Sequence, residues 1–188
     1  MHRIAVDADI EMISLRLKSA EEIFRNVEES RSFLEEWLPW VPETQGIEDV
    51  QRYIRQVNDK KCPKHDESFE IRFNEEFAGI VTLKEIDTFN RKAEIGYWLT
   101  KRYAGKGIMM RSCKALIQYA FEDLGLNKVF IRCSVENVRS CNIPKQLQFT
   151  FEGIEREGEF LNRKFVDLKI YSMLKKEWLK IHVNNRKH

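Results

Sequence analysis

The sequence predicts one α/β domain over residues 1–188, built on a central, mostly antiparallel sheet flanked by helices. Three observations carry this expectation: seven short runs with strand character, one long run with helical spacing, and no repeat, low-complexity tract or linker that would divide the chain. With 188 residues, 43% of them hydrophobic, the chain suits one ordinary core and leaves little material for a second.

Residues 10–17 alternate, with Ile13, Leu15 and Leu17 on one face, and predict the first strand. Ser19 and Glu22 make the S-x-x-E pattern of a capping box, opening a helix that carries Ile23, Phe24 and Val27. The stretch FLEEWLPWVPET holds two prolines and two tryptophans, which stop a helix and leave large aromatics near a loop. Ile47, Val50, Ile54 and Val57 recur at helical spacing and predict a helix over 47–57. Strands follow at 69–73, 78–86 and 93–99, separated by polar turns around Asn74 and Asn90. Met109, Cys113, Leu116, Ile117, Ala120, Phe121 and Leu124 then form the clearest helical stripe, which Gly125 ends. A strand at 128–134, a short helix at 137–147 and a strand pair at 149–160 and 165–173 complete the reading.

The 32 basic and 30 acidic residues nearly cancel, and the net charge of +2 supplies no argument for nucleic acid or membrane; neither is expected as a partner. Charge is nevertheless segregated. Residues 19–49 hold nine carboxylates and two arginines, whereas residues 95–121 hold five cations and no carboxylate. An anion is therefore expected in the second stretch and a cation near the first. Cys62, Cys113, Cys133 and Cys141 are irregularly spaced and expected to be free thiols. His65 and His182 form no ligand pattern with them, so no metal is expected. The start of the chain lacks the features of a signal peptide, and no apolar run approaches the roughly 20 residues that span a bilayer. A cytoplasmic protein is expected.

The segment KRYAGKGIMMR, residues 101–111, lies between a predicted strand and the clearest predicted helix. Unpaired N–H groups and the dipole make a helix N-terminus a natural anion site, and glycines let a ligand approach the backbone. Lys101, Arg102, Lys106, Arg111 and Lys114 add positive potential. The P-loop pattern fails because Ile108 follows Gly107, and GxGxxG fails because Met110 stands at its last glycine.

These residues resemble the GNAT superfamily of acetyl-CoA-dependent N-acetyltransferases, whose phosphate motif R/Q-x-x-G-x-G/A matches Arg102 to Gly107. EIGYWLTKRYAGKGIM, IRCSVENVRS and LQFTFEG fall in the order and spacing of the branch typified by Rim-type ribosomal-protein N-terminal acetyltransferases. The resemblance runs from Leu15 to about Leu174. It implies a GNAT-like twisted sheet of about seven strands in which the strand ending at YWL carries a bulge and splays from the strand at 128–134. It further implies acetyl-CoA as cosubstrate. Pantetheine would lie against the backbone of Trp98, Leu99 and Thr100, and the pyrophosphate on the amides of Arg102, Tyr103, Ala104, Gly105, Lys106, Gly107 and Ile108. Asn137 matches an asparagine that contacts the pantetheine arm.

Acetyl transfer needs a base for the amine, stabilisation of the carbonyl oxygen and a proton for the departing thiolate. The resemblance assigns the base to Glu159 and the acid to Ser140, with backbone N–H groups at the bulge facing the oxyanion. Many relatives carry a tyrosine acid four residues beyond, where this chain has Pro144. Pro144 cannot donate to the Ser140 carbonyl, so the freed turn is expected to help orient Ser140. Gln148 stands where the family usually has glycine and would be strained if the backbone needs positive φ there. Trp37, Trp40 and Val41 match the lining of the acceptor groove. The expected acceptor is the N-terminal α-amine of a protein, a ribosomal one in the first instance, by direct transfer in a ternary complex. The alternatives are a small amine (a polyamine, amino acid or aminoglycoside) and a non-catalytic acetyl-CoA-binding module. Late edge strands and exposed aromatics are compatible with a homodimer.

Overall fold

A computed structural model describes residues 2–59 and 64–185. Eight strands form one sheet: β1 (Arg3–Ala5), β2 (Ile10–Ser14), β3 (Lys64–Phe73), β4 (Glu76–Asp87), β5 (Lys92–Leu99), β6 (Lys128–Ser134), β7 (Thr150–Leu161) and β8 (Lys164–Leu174). Their order is β1-β2-β3-β4-β5-β6-β8-β7, and every neighbouring pair is antiparallel except β5 with β6. The helices are α1 (Ala20–Glu29), α2 (Arg31–Leu34), α3 (Ile47–Asn58), α4 (Ile108–Glu122), α5 (Val138–Gln146) and α6 (Lys175–Asn185).

The expected α/β sheet is present, with one strand more than seven. β1 is only three residues long and has no alternation to read, whereas its pairing of Ile4 with Met12 is plain in three dimensions. β3 starts before Phe69 because its polar first half is held by hydroxyls: Tyr53 Oη lies 2.9 Å from Ser68 Oγ, which lies 2.7 Å from Thr82 Oγ1. α6 also escapes the periodicity, and is anchored by Trp178 packed on Phe121. The Ser19–Glu22 capping box is not formed. Residues Leu17–Ser19 already turn as a 3-10 helix, so Ser19 is helical and makes no side-chain cap, while Glu22 reaches Arg72 at 2.7 Å. Cys62 lies outside the described residues; Cys113, Cys133 and Cys141 are free and buried.

The two faces of the sheet bury separate clusters. Ala93, Ile95, Tyr97 and Leu99 of β5 join α4 and α5 on one face; Trp98 joins α1 and α3 on the other, with Phe77 and Ile80. Alternation along the strand produces this division. α4 is the principal anchor, with Ile108, Leu116, Ile117 and Phe121 wholly buried. Each such side chain contributes about 1.5–3 kcal/mol relative to exposure. Because Ile108 directly follows the glycine loop, that burial also fixes the loop against the sheet.

Candidate active site

β5 and β6 separate after three paired positions, Lys92 with Lys128, Ala93 with Val129 and Glu94 with Phe130. The last five residues of β5 stay on β4, while β6 continues along β8. A V-shaped gap therefore opens through the sheet. The expected bulge near YWL is absent, since β4 and β5 pair without a break from Gly79–Leu99 to Lys84–Glu94. The irregularity sits at the other end of the pair, where Glu85 has φ 48°.

The Thr100 N–H donates to the Ala78 carbonyl at 2.9 Å, so Thr100 faces β4. Antiparallel pairing alternates, hence Trp98 also faces β4 and Tyr97 and Leu99 turn their backbone groups to the gap. Of Trp98, Leu99 and Thr100, only Leu99 meets the expectation of a gap-facing backbone.

The loop after β5 narrows its reading in the same way. The Tyr103 N–H donates to the Thr100 carbonyl at 3.1 Å and the Ala104 N–H to the Lys101 carbonyl at 3.3 Å. Tyr103 itself is a core residue, 4% exposed and edge-on to Phe73. Arg102 is bound to Glu76, and the hydrogen bond from Tyr103 with the charge of Arg102 lowers the Glu76 carboxyl below its usual range. Arg111 pairs with Asp7 at 2.7 Å. Distant carboxylates thus neutralise two cations that have none nearby in sequence. Lys101, Lys106 and Lys114 make no ion pair among the described residues. Gly105 and Gly107 have φ 79° and 72°, and a Cβ on either would meet nothing within 4 Å. Gly107 ends in front of α4, whose first N–H groups have no helical acceptor. Of the amides of 102–108, those of Tyr103 and Ala104 are thus engaged within the loop, while Gly105 and Gly107 leave the open approach that an anion would need.

On the α4 face of the gap, Asn137 caps α5 by accepting the Ser140 N–H at 3.0 Å on Oδ1. Pro144 lies within α5, and the Ser140 carbonyl accepts instead from the Tyr97 hydroxyl at 3.0 Å. Ser140 Oγ in turn donates to Tyr97 Oη at 3.2 Å. Burial, with the thiols of Cys113, Cys133 and Cys141 nearby, holds the Tyr97 phenol well above its usual range. Cys141 points its thiol at the Ser134 carbonyl at 3.4 Å and away from solvent. Gln148 does adopt positive φ, 61°, just beyond the end of α5.

The opposite face carries the charges. Arg132 donates to Glu94 at 2.8 and 3.0 Å and to Glu155 at 3.3 Å, and the Lys84 side chain lies across Gly96. Glu159 comes from β7, whose register with β8 slips between Glu155 and Glu159, and its carboxyl feels the charges of this group. Partial burial raises the Glu159 carboxyl above the ordinary glutamate value, with Glu94 adding to the rise and Lys84 and Arg132 opposing it. Trp40 lies tilted against Trp98 with ring centroids 5.7 Å apart, and Trp37 packs on Leu161, Val166 and Leu168 of the β7–β8 hairpin. Val41 is 0% exposed and belongs to the core, so it cannot touch an acceptor. Among the described residues no group of three His, Cys, Asp or Glu is placed to hold a metal, and no helix is long and apolar enough to cross a membrane.

Sequence reasoning missed Tyr97, Glu94, Arg132 and Lys84. Pro144 announced an unpaired carbonyl, but its donor comes from a strand 43 residues away.

Residues 9–150 match the acetyltransferase (GNAT) domain. YdaF of Bacillus subtilis (strain 168), provisionally named a ribosomal N-acetyltransferase, is 35% identical over 89% of this chain and 94% of its own. Spermidine N(1)-acetyltransferase of Escherichia coli (strain K12) is 33% identical over 54% of this chain and 56% of its own. The microcin C7 self-immunity acetyltransferase MccE, solved with acetyl-CoA and AMP, superposes with a TM-score of 0.84 at 30% identity, over 90% of this chain and 94% of that one. RimL, a ribosomal L7/L12 α-N-protein acetyltransferase solved with coenzyme A, shares the fold with a TM-score of 0.88 at 23% identity, over 94% and 99%. The splayed strands and the glycine loop thus stand in a chain that belongs to the GNAT acetyltransferase family.

Proposed function

We propose that this enzyme moves an acetyl group from acetyl-CoA to the N-terminal α-amine of a protein, ribosomal in the first instance, by direct transfer in a ternary complex. The observation that carries the reading is the gap between β5 and β6, with Ser140 at one face of the sheet and Glu159 at the other. A donor entering from the α4 side and an amine from the α1–α3 side would meet in it. The residues fit the donor. Gly105 and Gly107 leave open space, the first amides of α4 suit the pyrophosphate, and the outward groups of Leu99 and Tyr97 suit an amide-bearing pantetheine. Asn137 has its Oδ1 committed to Ser140, leaving Nδ2 as the donor toward that arm.

In the reaction, Glu159 accepts the ammonium proton, so that the neutral amine attacks the thioester carbonyl. A buried carboxyl with a raised pKa is better matched to that proton than an exposed one. The gap-facing N–H groups of β5 stabilise the developing oxyanion. As the carbon–sulfur bond breaks, the Ser140 hydroxyl gives its proton to the thiolate, and the second proton that the nitrogen sheds on becoming an amide returns to Ser140 through solvent, leaving amide, free thiol and an intact serine. Trp37 and Trp40 flank the acceptor side.

Thiol release with a panel of peptide N-termini and small amines tests the reading. Peptides should be the preferred acceptors, and Glu159→Gln and Ser140→Ala should each slow release. A polyamine is the second reading, favoured by the segment shared with the spermidine enzyme. Preference for spermidine over every peptide would select it. Binding of acetyl-CoA without turnover on any amine would mark a non-catalytic module.

A further inference from the structure

We infer that Tyr97 is a positioning residue for the transfer step, its phenol bridging the main chain and side chain of Ser140 and so fixing the serine hydroxyl at the gap between β5 and β6. The inference rests on the acetyl-transfer reading and on the part given there to Ser140.

In an ordinary helix the Ser140 carbonyl would accept from the N–H of residue 144 and the serine hydroxyl would turn freely. Here residue 144 is proline, which has no N–H. A strand side chain fills the vacancy: Tyr97 Oη donates to the carbonyl at 3.0 Å. The phenol has a single proton, and that bond uses it. Toward the Ser140 hydroxyl, 3.2 Å away, its oxygen can therefore only accept, so Ser140 Oγ is the donor. With Asn137 Oδ1 holding the Ser140 N–H at 3.0 Å, all three polar groups of Ser140 are held by side chains. The oxygen position is set before any substrate arrives.

The arrangement still lets the hydroxyl act. Rotation about Cβ–Oγ moves only its proton, and an anionic sulfur is a stronger acceptor than a neutral phenol oxygen. As the thiolate develops, the serine O–H turns from Tyr97 Oη to the sulfur while Oγ stays in place. Burial keeps the phenol protonated, so the bridge persists across the working range of pH.

Three substitutions separate positioning from mere plugging of a carbonyl. Tyr97→Phe should lower kcat roughly ten- to a hundred-fold, with the KM for acetyl-CoA changed by less than about three-fold, and should also lower Tm. Adding Pro144→Ala returns an N–H to the Ser140 carbonyl. It should restore Tm and leave kcat low, because the hydroxyl is still unheld. In a Ser140→Ala background, Tyr97→Phe should change kcat less than about two-fold. The inference is overturned if Tyr97→Phe keeps its kcat, or if Pro144→Ala restores kcat together with Tm. It is also overturned if the loss persists undiminished without Ser140, since Tyr97 would then act on its own. Wild-type kcat in Ser140→Ala alone would instead remove Ser140 from the mechanism, and the positioning role with it. Loss in Ser140→Ala beside a normal Tyr97→Phe sinks only the inference.

Discussion

Replacing Gly107 by alanine separates what the glycine loop does for the fold from what it does for the donor. Gly107 has φ 72°, and the left-handed region costs an L-residue about 1–2 kcal/mol. Restricting the unfolded chain returns about 0.4–1 kcal/mol, so the net loss is about 1 kcal/mol, or roughly 2–4 °C in Tm for a chain of this size. No steric cost is added, because the new Cβ meets nothing within 4 Å. Gly125, beyond the other end of α4, has φ 65° and the same open surroundings, which makes Gly125→Ala a matched control. Both variants should lose similar Tm. Only Gly107→Ala should raise the KM for acetyl-CoA, by about tenfold or more, equivalent to about 1.4 kcal/mol. Thermal unfolding and initial-rate thiol release read the two quantities. An unchanged KM in Gly107→Ala, or an equal rise in Gly125→Ala, would refute the placement of the pyrophosphate on this loop.

Glu159→Gln should lower kcat/KM by roughly 100- to 10,000-fold, and wild-type activity should rise with pH through a Glu159 pKa above the ordinary glutamate value. The raised pKa means that the folded protein favours the protonated acid. Its stabilising effect is complete below the unfolded pKa and lost as pH rises through the folded one, so Glu159→Gln should be the more stable protein near neutral pH and gain nothing in acid. Gln148→Gly should raise stability by about 0.5–1 kcal/mol, seen as a small rise in Tm, because φ 61° suits glycine and the side chain is exposed. Arg132→Met leaves Glu94, 8% exposed, without its partner and should cost about 2 kcal/mol, which Glu94→Gln should largely recover in the double variant by chemical denaturation.

Elements whose pattern is local were legible in the sequence. The α4 stripe, from Met109 to Phe121, and the β6 run at 128–134 are legible because their buried side chains recur at the period of the element, whereas Leu124, the last residue of the expected stripe, lies beyond the helix end at Glu122. β1 is too short to show a period, and the capping box failed because the chain before Ser19 was already turning. The splay of β5 from β6 came from resemblance, since periodicity cannot show where a pairing stops. At the site, the glycine loop and the oddities at Pro144 and Gln148 were visible as residue types. The partners were not. Glu76 with Arg102, Asp7 with Arg111 and Tyr97 with Ser140 are brought together only by the sheet order. Val41, matched to the groove lining by the resemblance alone, is wholly buried in the core.

Residue-resolved amide exchange with and without coenzyme A tests the placement of the donor most directly. Protection should appear at Leu99 and across Gly105–Met109 and should leave Trp98 and Thr100, which already face β4, unchanged. Protection confined to the open groove beside β1 and β2, lined by Asp7, Glu70 and Arg72, with none at the gap between β5 and β6, would contradict it.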